Sequence, residues 1–292
     1  MNITTRTAIK QLPNRQAELL WTYGLTHALD YLPAQLVSQL QEAQPAETPG
    51  LSALGLSLLP LATSFAVAPV SDFYVGAIAV DSQGNAYPGA NFEFTDTHIG
   101  QVIHAEQSAI ANAWTHGAED LALLVINYPP CGHCRQFINE VNLADNFRIQ
   151  LPDSSAKSLS YYLPDAFGPN DLNIDKRILG PQTIPSDKNN ITVMAEWAYE
   201  NSHAPYSGSK SGIALQYEDG QIVTGRYAEN AAFNPTLPAL QMALNTRRLQ
   251  GKDWRNIQQA IMIETPAPLS QHQNTRALLG SFSAVKLDYI AK

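Results

Sequence analysis

Three residues in two short motifs fit a catalytic metal site. The only two cysteines in the 292 residues, Cys131 and Cys134, are three apart, so on a helical turn both sulfurs can reach one metal ion. His104 supplies a third ligand of a kind that Zn²⁺ accepts together with cysteine. Three protein ligands leave the fourth tetrahedral position open, which is typical of catalytic rather than structural zinc. The pattern therefore predicts one zinc ion per chain.

A carboxylate accompanies these ligands, because Glu106 lies two residues after His104. Residues two apart are separated by about 200° around a helix, so these two side chains converge only where a helix begins. We therefore expect both motifs at helix N-termini, where free N–H groups and the helix dipole stabilise thiolates. A carboxylate at that place suits proton transfer. The spacing H-x-E…P-C-x-x-C matches the signature of zinc nucleobase deaminases.

The segments around the motifs predict an α/β layered domain. Residues 73–80 and 86–94 resemble the two strands of a hairpin, and the apolar run Leu121–Ile126 resembles a strand that is covered on both faces. Helices are predicted over residues 103–116 and from about Cys131 onward. Strands that alternate with helices place ligands at the carboxyl ends of the strands.

The flanking segments have different patterns. Residues 2–45 have leucines at helical spacing. Residues 48–71 carry no charge, but Gly55 and Pro60 interrupt the apolar stretch 51–68, so we expect a buried helix rather than a membrane span. Residues 152–189 are rich in proline and predict a linker or arm.

The second half of the chain repeats the first without its metal ligands. At one constant offset along the chain, turn glycines and polar residues recur in register: Pro69, Ser71, Gly76, Gly84, Gly89 and Glu93 stand opposite Pro205, Ser207, Gly212, Gly220, Gly225 and Glu229. No cysteine follows Cys134, and the region that should match His104 reads Leu237-Pro238-Ala239-Leu240. We therefore expect a noncatalytic packing domain, in which Glu229 is structural.

The predicted fold class is α/β, with two tandem three-layer α/β/α deaminase-like domains, one catalytic and one degenerate, after an N-terminal helical segment. The predicted boundaries divide the sequence into four parts: the helical segment 1–48, the catalytic zinc domain 49–151, the proline-rich arm 152–189 and the noncatalytic domain 190–292.

Composition restricts the partners. The chain is 45% apolar and 15% charged, which is typical of a globular protein. Its net charge is -8 and it has no run of basic residues, which disfavours nucleic acid and favours a small uncharged substrate. The N-terminal stretch from Met1 to Trp21 lacks the apolar core of a signal peptide, so we expect a cytoplasmic protein without membrane attachment.

Five stretches together resemble cytidine deaminase, in its larger homodimeric form with a catalytic and a degenerate domain. They read SDFYVGAIAV, GANFEF, HAEQSAIANAW, PCGHCRQFINE and YAENAAFNPTLPALQ. The resemblance covers most of the chain from about Leu51. It implies a homodimer in which zinc, held by His104, Cys131 and Cys134, acts with Glu106 to convert cytidine or deoxycytidine to the uridine product and ammonia.

The resemblance also assigns substrate contacts. Asn91 and Glu93 would bind the ribose hydroxyl, Phe73 would form a wall against the nucleoside, and the backbone of Ala105 would contact the pyrimidine edge. Phe167, in the arm, would reach the active site of the neighbouring subunit.

One further hypothesis and two alternatives stay open at this stage. Arg135 directly follows Cys134 and could offset thiolate charge. The substrate could be a free base, a nucleotide or another cytosine-containing small molecule. The metal could instead be a closed structural site in a binding module, for which His133 is the only spare ligand nearby.

Overall fold

The computed structural model describes residues 1–292. Its N-terminal part consists of four helices. These are α1 (Ile3–Lys10), α2 (Asn14–Gly24), α3 (Ala34–Glu42) and α4 (Leu51–Thr63). The first three confirm the helical prediction for residues 2–45, with breaks between them. The buried helix prediction is also confirmed, although α4 ends at Thr63 rather than near residue 68. None of the helices combines the length and apolar character that a membrane span requires.

The first sheet has the order β2-β1-β3-β4. Its strands are β1 (Gly76–Val80), β2 (Ala86–Ala90), β3 (Leu121–Ile126) and β4 (Leu143–Gln150), with α5 (Ala105–Thr115) between β2 and β3 and α6 (Gly132–Ile138) between β3 and β4. Only β3 and β4 are parallel. The hairpin is shorter than predicted, because after Ala90 the chain leaves β1 and Phe92 bridges to Val67 and Ile103 instead.

The predicted arm, residues 152–189, is irregular except for α7 (Leu159–Tyr162) and a 3₁₀ turn at Pro169–Leu172. It is not a free linker. Ile178 is buried and exchanges backbone hydrogen bonds with the segment after α6: Asn142 N–H donates to Ile178 O at 2.9 Å, and Ile178 N–H donates to Glu140 O at 3.0 Å. Part of the arm therefore contributes to the core.

A second sheet repeats the first, with the order β6-β5-β7-β8. Its elements are α8 (Ile191–Glu200), β5 (Ser211–Tyr217), β6 (Ile222–Arg226), α9 (Ala239–Leu249), β7 (Ile257–Glu264), α10 (His272–Phe282) and β8 (Leu287–Ala291). The strand pair Gly76↔Ala90 recurs as Gly212↔Arg226, at the offset seen in the sequence repeat. The prediction of two tandem α/β domains is confirmed, and we call the layers around β1–β4 and β5–β8 the first and second domains.

The recurring glycines have a packing reason. In each domain one helix crosses the hairpin so closely that a side chain on the hairpin residue beneath it would overlap the helix backbone. A Cβ at Gly89 would clash with Ala109 of α5, and a Cβ at Gly225 would clash with Ala239 of α9. Each helix needs a residue without a side chain beneath it, so the glycine recurs even where the chemistry does not.

The outward edge of β2 has no free backbone N–H. Ala86 exchanges two backbone hydrogen bonds with Leu32, both at 2.9 Å. Pro88 has no N–H to offer, and its carbonyl accepts from the side chain of Asn112 at 2.8 Å. The N–H of Ala90 donates to a serine hydroxyl of α5 at 3.1 Å. Every outward-facing group of this edge strand therefore has a partner.

One apolar core joins the two domains. It includes Ala109 and Trp114 of α5 together with Ala243 and Leu244 of α9. The helix that follows the His104 motif therefore packs directly against the second domain.

Candidate active site

Three side-chain atoms converge between two helix N-termini. His104 is the N-cap of α5 and Cys131 is the N-cap of α6, with Cys134 one turn further on. His104 Nδ1 lies 3.4 Å from Cys131 Sγ and 3.3 Å from Cys134 Sγ, and the two sulfurs are 3.6 Å apart. The expected placement of both motifs at adjacent helix N-termini is confirmed.

These distances fit zinc. Ordinary Zn–S and Zn–N bonds at tetrahedral angles put two sulfurs about 3.8 Å apart and a sulfur and a nitrogen about 3.6 Å apart. The three atoms form the one group of metal-ligand side chains close enough to share an ion. His133 is not a fourth member, because its ring stacks on that of His104 with centroids 5.0 Å apart and planes 10° from parallel. The donor set therefore leaves one tetrahedral corner free.

The thiols and the imidazole influence one another's protonation. The side-chain hydrogen bond between the two cysteines lowers the pKa of Cys131 far below its usual range and raises the pKa of Cys134. The hydrogen bond to Cys131 raises the pKa of His104. The first proton therefore leaves from Cys131, so this pair already presents the anionic sulfur that a metal needs.

Glu106 is buried in the first turn of α5, with 5% of its surface exposed. Burial raises the pKa of its carboxyl, more than the backbone and Cys134 hydrogen bonds lower it. A carboxyl group whose neutral form is favoured holds a proton readily and is suited to receive one and pass it on.

A cavity of about 460 Å³ opens beside these groups. Four of the five residues predicted for substrate contact line it, together with the predicted proton carrier and two metal ligands: Phe73, Asn91, Glu93 and Ala105, then Glu106, then His104 and Cys131. Its size and mixed lining are typical of a site for a small molecule.

Asn91 and Glu93 line the cavity but also hold the chain that forms its wall. Asn91 Oδ1 accepts from Val75 N–H at 2.9 Å, and its Nδ2 donates to Phe73 O at 2.8 Å. Glu93 Oε2 accepts from two backbone N–H groups, those of Val70 and Ser71, each at 3.0 Å. Both residues follow β2 rather than lying within it, which corrects the expectation of a strand to residue 94.

Sequence reasoning missed Tyr128. Its ring lies 4.7 Å from that of Phe73, centroid to centroid, and both side chains are about half exposed at the cavity mouth, 46% and 48% respectively. Its place just before the Pro129-Pro130-Cys131 stretch was the available signal.

Arg135 donates to two backbone carbonyls. Its Nε donates to Pro130 O at 2.7 Å and its Nη1 donates to Tyr162 O at 3.0 Å. The guanidinium therefore ties α7 to the loop before the cysteines instead of binding sulfur. Neither of these two hydrogen bonds goes to a sulfur, and the hypothesis that the charge of Arg135 offsets the thiolates stays a prediction.

Phe167 is not part of this cavity. Its side chain is about half exposed, and its backbone carbonyl accepts from Gln136 Nε2 at 2.6 Å and from Asn139 Nδ2 at 3.3 Å. The arm is thus fixed to α6 with the Phe167 ring facing outward.

The second domain has the same arrangement of strands and helices around the corresponding position, but it lacks the metal ligands and the residue equivalent to Glu106. Pro238 is the N-cap of α9, where His104 caps α5, and Leu240 stands where Glu106 stands. The buried Tyr227 occupies the register position of Asn91. No metal-ligand group forms there.

In comparisons with known proteins, both halves of the chain match a known family. Residues 56–147 and 159–276 each match a family described as the cytidine and deoxycytidylate deaminase zinc-binding region. The cytidine deaminase of Actinobacillus pleuropneumoniae is 49% identical, covering 81% of this chain and 80% of that protein. That of Histophilus somni is 45% identical over 97% and 94%, and that of Salmonella schwarzengrund is 46% identical over 98% and 97%.

Proposed function

Because this chain belongs to the cytidine and deoxycytidylate deaminase family, we propose that it hydrolyses the 4-amino group of cytidine and 2′-deoxycytidine. The products are uridine or 2′-deoxyuridine and ammonia, which assigns the protein to pyrimidine salvage. The observation that carries the proposal is the tetrahedral spacing of His104 Nδ1 and the two cysteine sulfurs, beside a cavity of about 460 Å³ that Glu106 also lines.

His104, Cys131 and Cys134 would hold the zinc ion of this family. When bound, zinc acidifies a water molecule and so supplies a nucleophile at neutral pH. Two thiolates neutralise much of the charge of the metal, so this activation is weaker than with three neutral histidines.

Glu106 compensates as the proton carrier. It accepts the proton that the water loses as the oxygen bonds to C4, and delivers it to N3 of the pyrimidine. It then takes the second proton, from the new C4 hydroxyl, and gives it to the amine, which leaves as neutral ammonia when the C4–N4 bond breaks. Its burial favours each uptake step, because the neutral carboxyl is the form that a low-polarity surrounding stabilises.

The remaining cavity residues bind and orient the nucleoside. Asn91 and Glu93 would bind the ribose, Phe73 and Tyr128 would flank the pyrimidine, and the backbone of Ala105 would contact its edge. Glu93 already accepts three hydrogen bonds from its own chain, to one oxygen from Val70 and Ser71 amides and to the other from the Ser71 hydroxyl. A ribose hydroxyl would add to that arrangement, so free cytosine should be a poor substrate.

The active form would be a homodimer in the cytoplasm. The outward-facing ring of Phe167 supports this proposal, because a side chain fixed on α6 and pointing away from its own cavity is available to a neighbouring subunit. A dimer of this kind would complete each cavity with an aromatic side chain from the partner.

An ultraviolet assay on purified protein tests the proposal, with zinc content measured alongside. Cytidine and 2′-deoxycytidine should be converted with ammonia release, and cytosine and dCMP should not. Conversion of cytosine or dCMP alone would point to a different deaminase. Stoichiometric zinc with no ammonia from any of the four would point to a zinc-stabilised binding module.

A further inference from the structure

Arg248 of α9 is buried in the domain interface, with 5% of its surface exposed, and no carboxylate pairs with it. A buried guanidinium without a counter-charge is costly unless its donors are used. Three of its four hydrogen bonds go to groups outside its own domain, the fourth goes to Asn245 of α9, and its Nε has no partner. Nη1 donates to Phe65 O, Nη2 donates to Ala90 O at 3.0 Å, and the guanidinium lies over the ring of Phe92, 4.7 Å from its centroid.

The two carbonyls belong to two paired segments: one carries both predicted ribose contacts, Asn91 and Glu93, and the other hydrogen-bonds to it. Ala90 directly precedes Asn91. Phe65 lies two residues before Val67, whose N–H donates to Asn91 O at 3.1 Å and whose carbonyl accepts from Glu93 N–H at 2.8 Å. One guanidinium therefore ties both segments together just before they form the cavity wall.

The same network reaches the helix of the metal motif. The hydroxyl of Ser108, one turn into α5 from His104, accepts from Ala90 N–H at 3.1 Å and from Arg248 Nη2 at 3.3 Å, and donates to Asn245 Oδ1 at 2.6 Å. Asn245 Oδ1 also accepts from Arg248 Nη2 at 2.7 Å. The second domain thus sets the ribose-side wall and the start of α5 relative to each other.

We propose that Arg248 is a positioning residue for the nucleoside: it holds Asn91 and Glu93 at the distance from Ala105 and Glu106 that a pyrimidine nucleoside requires. This inference rests on the proposed function. The inference assigns the second domain a part in substrate binding, although that domain contributes no residue to the cavity lining. Arg248 acts through Asn91, so the two residues must be energetically coupled.

The test compares Arg248→Lys with Arg226→Lys. A lysine keeps the charge but cannot span two carbonyls as a guanidinium does. Arg226 is the matched control, because it is equally buried between the domains but donates to Trp114 O, at 2.7 Å, and to Gln182, away from the cavity. KM and kcat are measured for each variant with cytidine and with 2′,3′-dideoxycytidine, which lacks the 2′ and 3′ hydroxyls and keeps the 5′ hydroxyl, and Tm is measured alongside.

Arg248→Lys should raise KM for cytidine about tenfold, leave kcat within about threefold, and reduce the preference for cytidine over the dideoxy analogue. In an Asn91→Ala background the same substitution should change KM by less than about twofold. Arg226→Lys should lower Tm without changing that preference. If Arg248→Lys does not yield folded protein, Asn245→Ala should raise KM for cytidine in the same direction and by less.

Unchanged KM and unchanged preference in Arg248→Lys, with Tm lowered as in Arg226→Lys, would overturn the inference and leave the proposed function intact. Additive effects of Arg248→Lys and Asn91→Ala would overturn it as well. If the unsubstituted protein fails to deaminate cytidine, the proposed function fails and the inference fails with it.

Discussion

Glu93 and Glu229 accept the same pair of backbone hydrogen bonds in the two domains. Glu93 Oε2 receives the amides of Val70 and Ser71, each at 3.0 Å, and Glu229 Oε2 receives those of Tyr206 and Ser207, at 2.8 and 3.1 Å. The acceptor and both donors are related by the same offset as the repeated glycines. The carboxylate therefore secures a turn in both domains, whether or not a substrate site is present.

Removing each carboxylate should separate its structural role from its binding role. Glu229→Ala should lower the free energy of unfolding by about 2 kcal/mol, because its site is buried. Glu93→Ala should lower it by about 1 kcal/mol, since water can reach the freed amides. Only Glu93→Ala should raise KM for cytidine, by about tenfold. Urea unfolding and steady-state kinetics measure both effects, and an equal KM change in the two variants would contradict the assignment.

The Glu93 contribution to stability should depend on pH. Burial raises its pKa, but the hydrogen bonds from Ser71 and Val70 outweigh burial and lower it from the ordinary value of 4.5. A lowered folded-state pKa means that the contribution is present above the ordinary value and is lost as the pH falls through the lowered one. The stability difference between wild type and Glu93→Ala should therefore shrink in acid, and a constant difference would be inconsistent with this cause.

Glu106→Gln should retain zinc and lose turnover. Glutamine preserves the shape of the side chain but cannot carry the proton, so kcat should fall by about 10² to 10⁴. Zinc analysis of the purified variant is the control, because a loss of metal would produce the same kinetic result for another reason. An unchanged kcat at full zinc occupancy would refute the role of Glu106.

Metal removal should expose one reactive thiol. With zinc chelated, Cys131 is exposed and its pKa is lowered, whereas Cys134 is buried and its pKa is raised. Iodoacetamide should therefore alkylate Cys131 first, at a rate that stays nearly constant down to about pH 5, whereas an ordinary thiol slows below its pKa of about 8.5. Peptide mass spectrometry identifies the modified residue, and zinc should protect it. Faster labelling of Cys134 would reverse the proposed proton order.

A mixture of two inactive chains should recover activity if Phe167 acts across a dimer. In a hybrid of Glu106→Gln and Phe167→Ala chains, the site of the second chain keeps its own Glu106 and receives the intact Phe167 of the first. Activity after joint refolding should exceed the sum of the separate variants. If the ring acts within its own chain, mixing should restore nothing.

The close helix crossing gives a prediction about packing alone. Gly89→Ala should destabilise the chain by about 3 kcal/mol, because the added methyl group meets the backbone of Ala109 and neither element can yield. Gly280→Ala is the control, since Gly280 is exposed in α10 with no atom near its would-be Cβ. It should be neutral or stabilising by up to about 1 kcal/mol. Similar losses in both variants would mean that the crossing is not the cause.

Local sequence patterns predicted those parts of the fold that depend on neighbours along the chain. The strand Leu121–Ile126 and both helix starts at His104 and Cys131 follow from apolar runs and motif spacing. The end of β2 could not be predicted from local patterns, because the residues after Ala90 pair with residues that are distant along the chain. The hydrogen bond from Arg135 to Tyr162 O could not be predicted for the same reason, because the acceptor lies in the irregular arm, distant along the chain.

The covered edge of β2 also affects how the molecules behave toward one another. Leu32 pairs with Ala86, position 88 is a proline, and a serine hydroxyl accepts from Ala90 N–H. An incoming polypeptide strand therefore has no free backbone N–H group on β2 with which to pair. This hairpin is therefore protected from intermolecular strand addition, the first step of amyloid-like stacking. Crowded native molecules should resist that route of aggregation at β2.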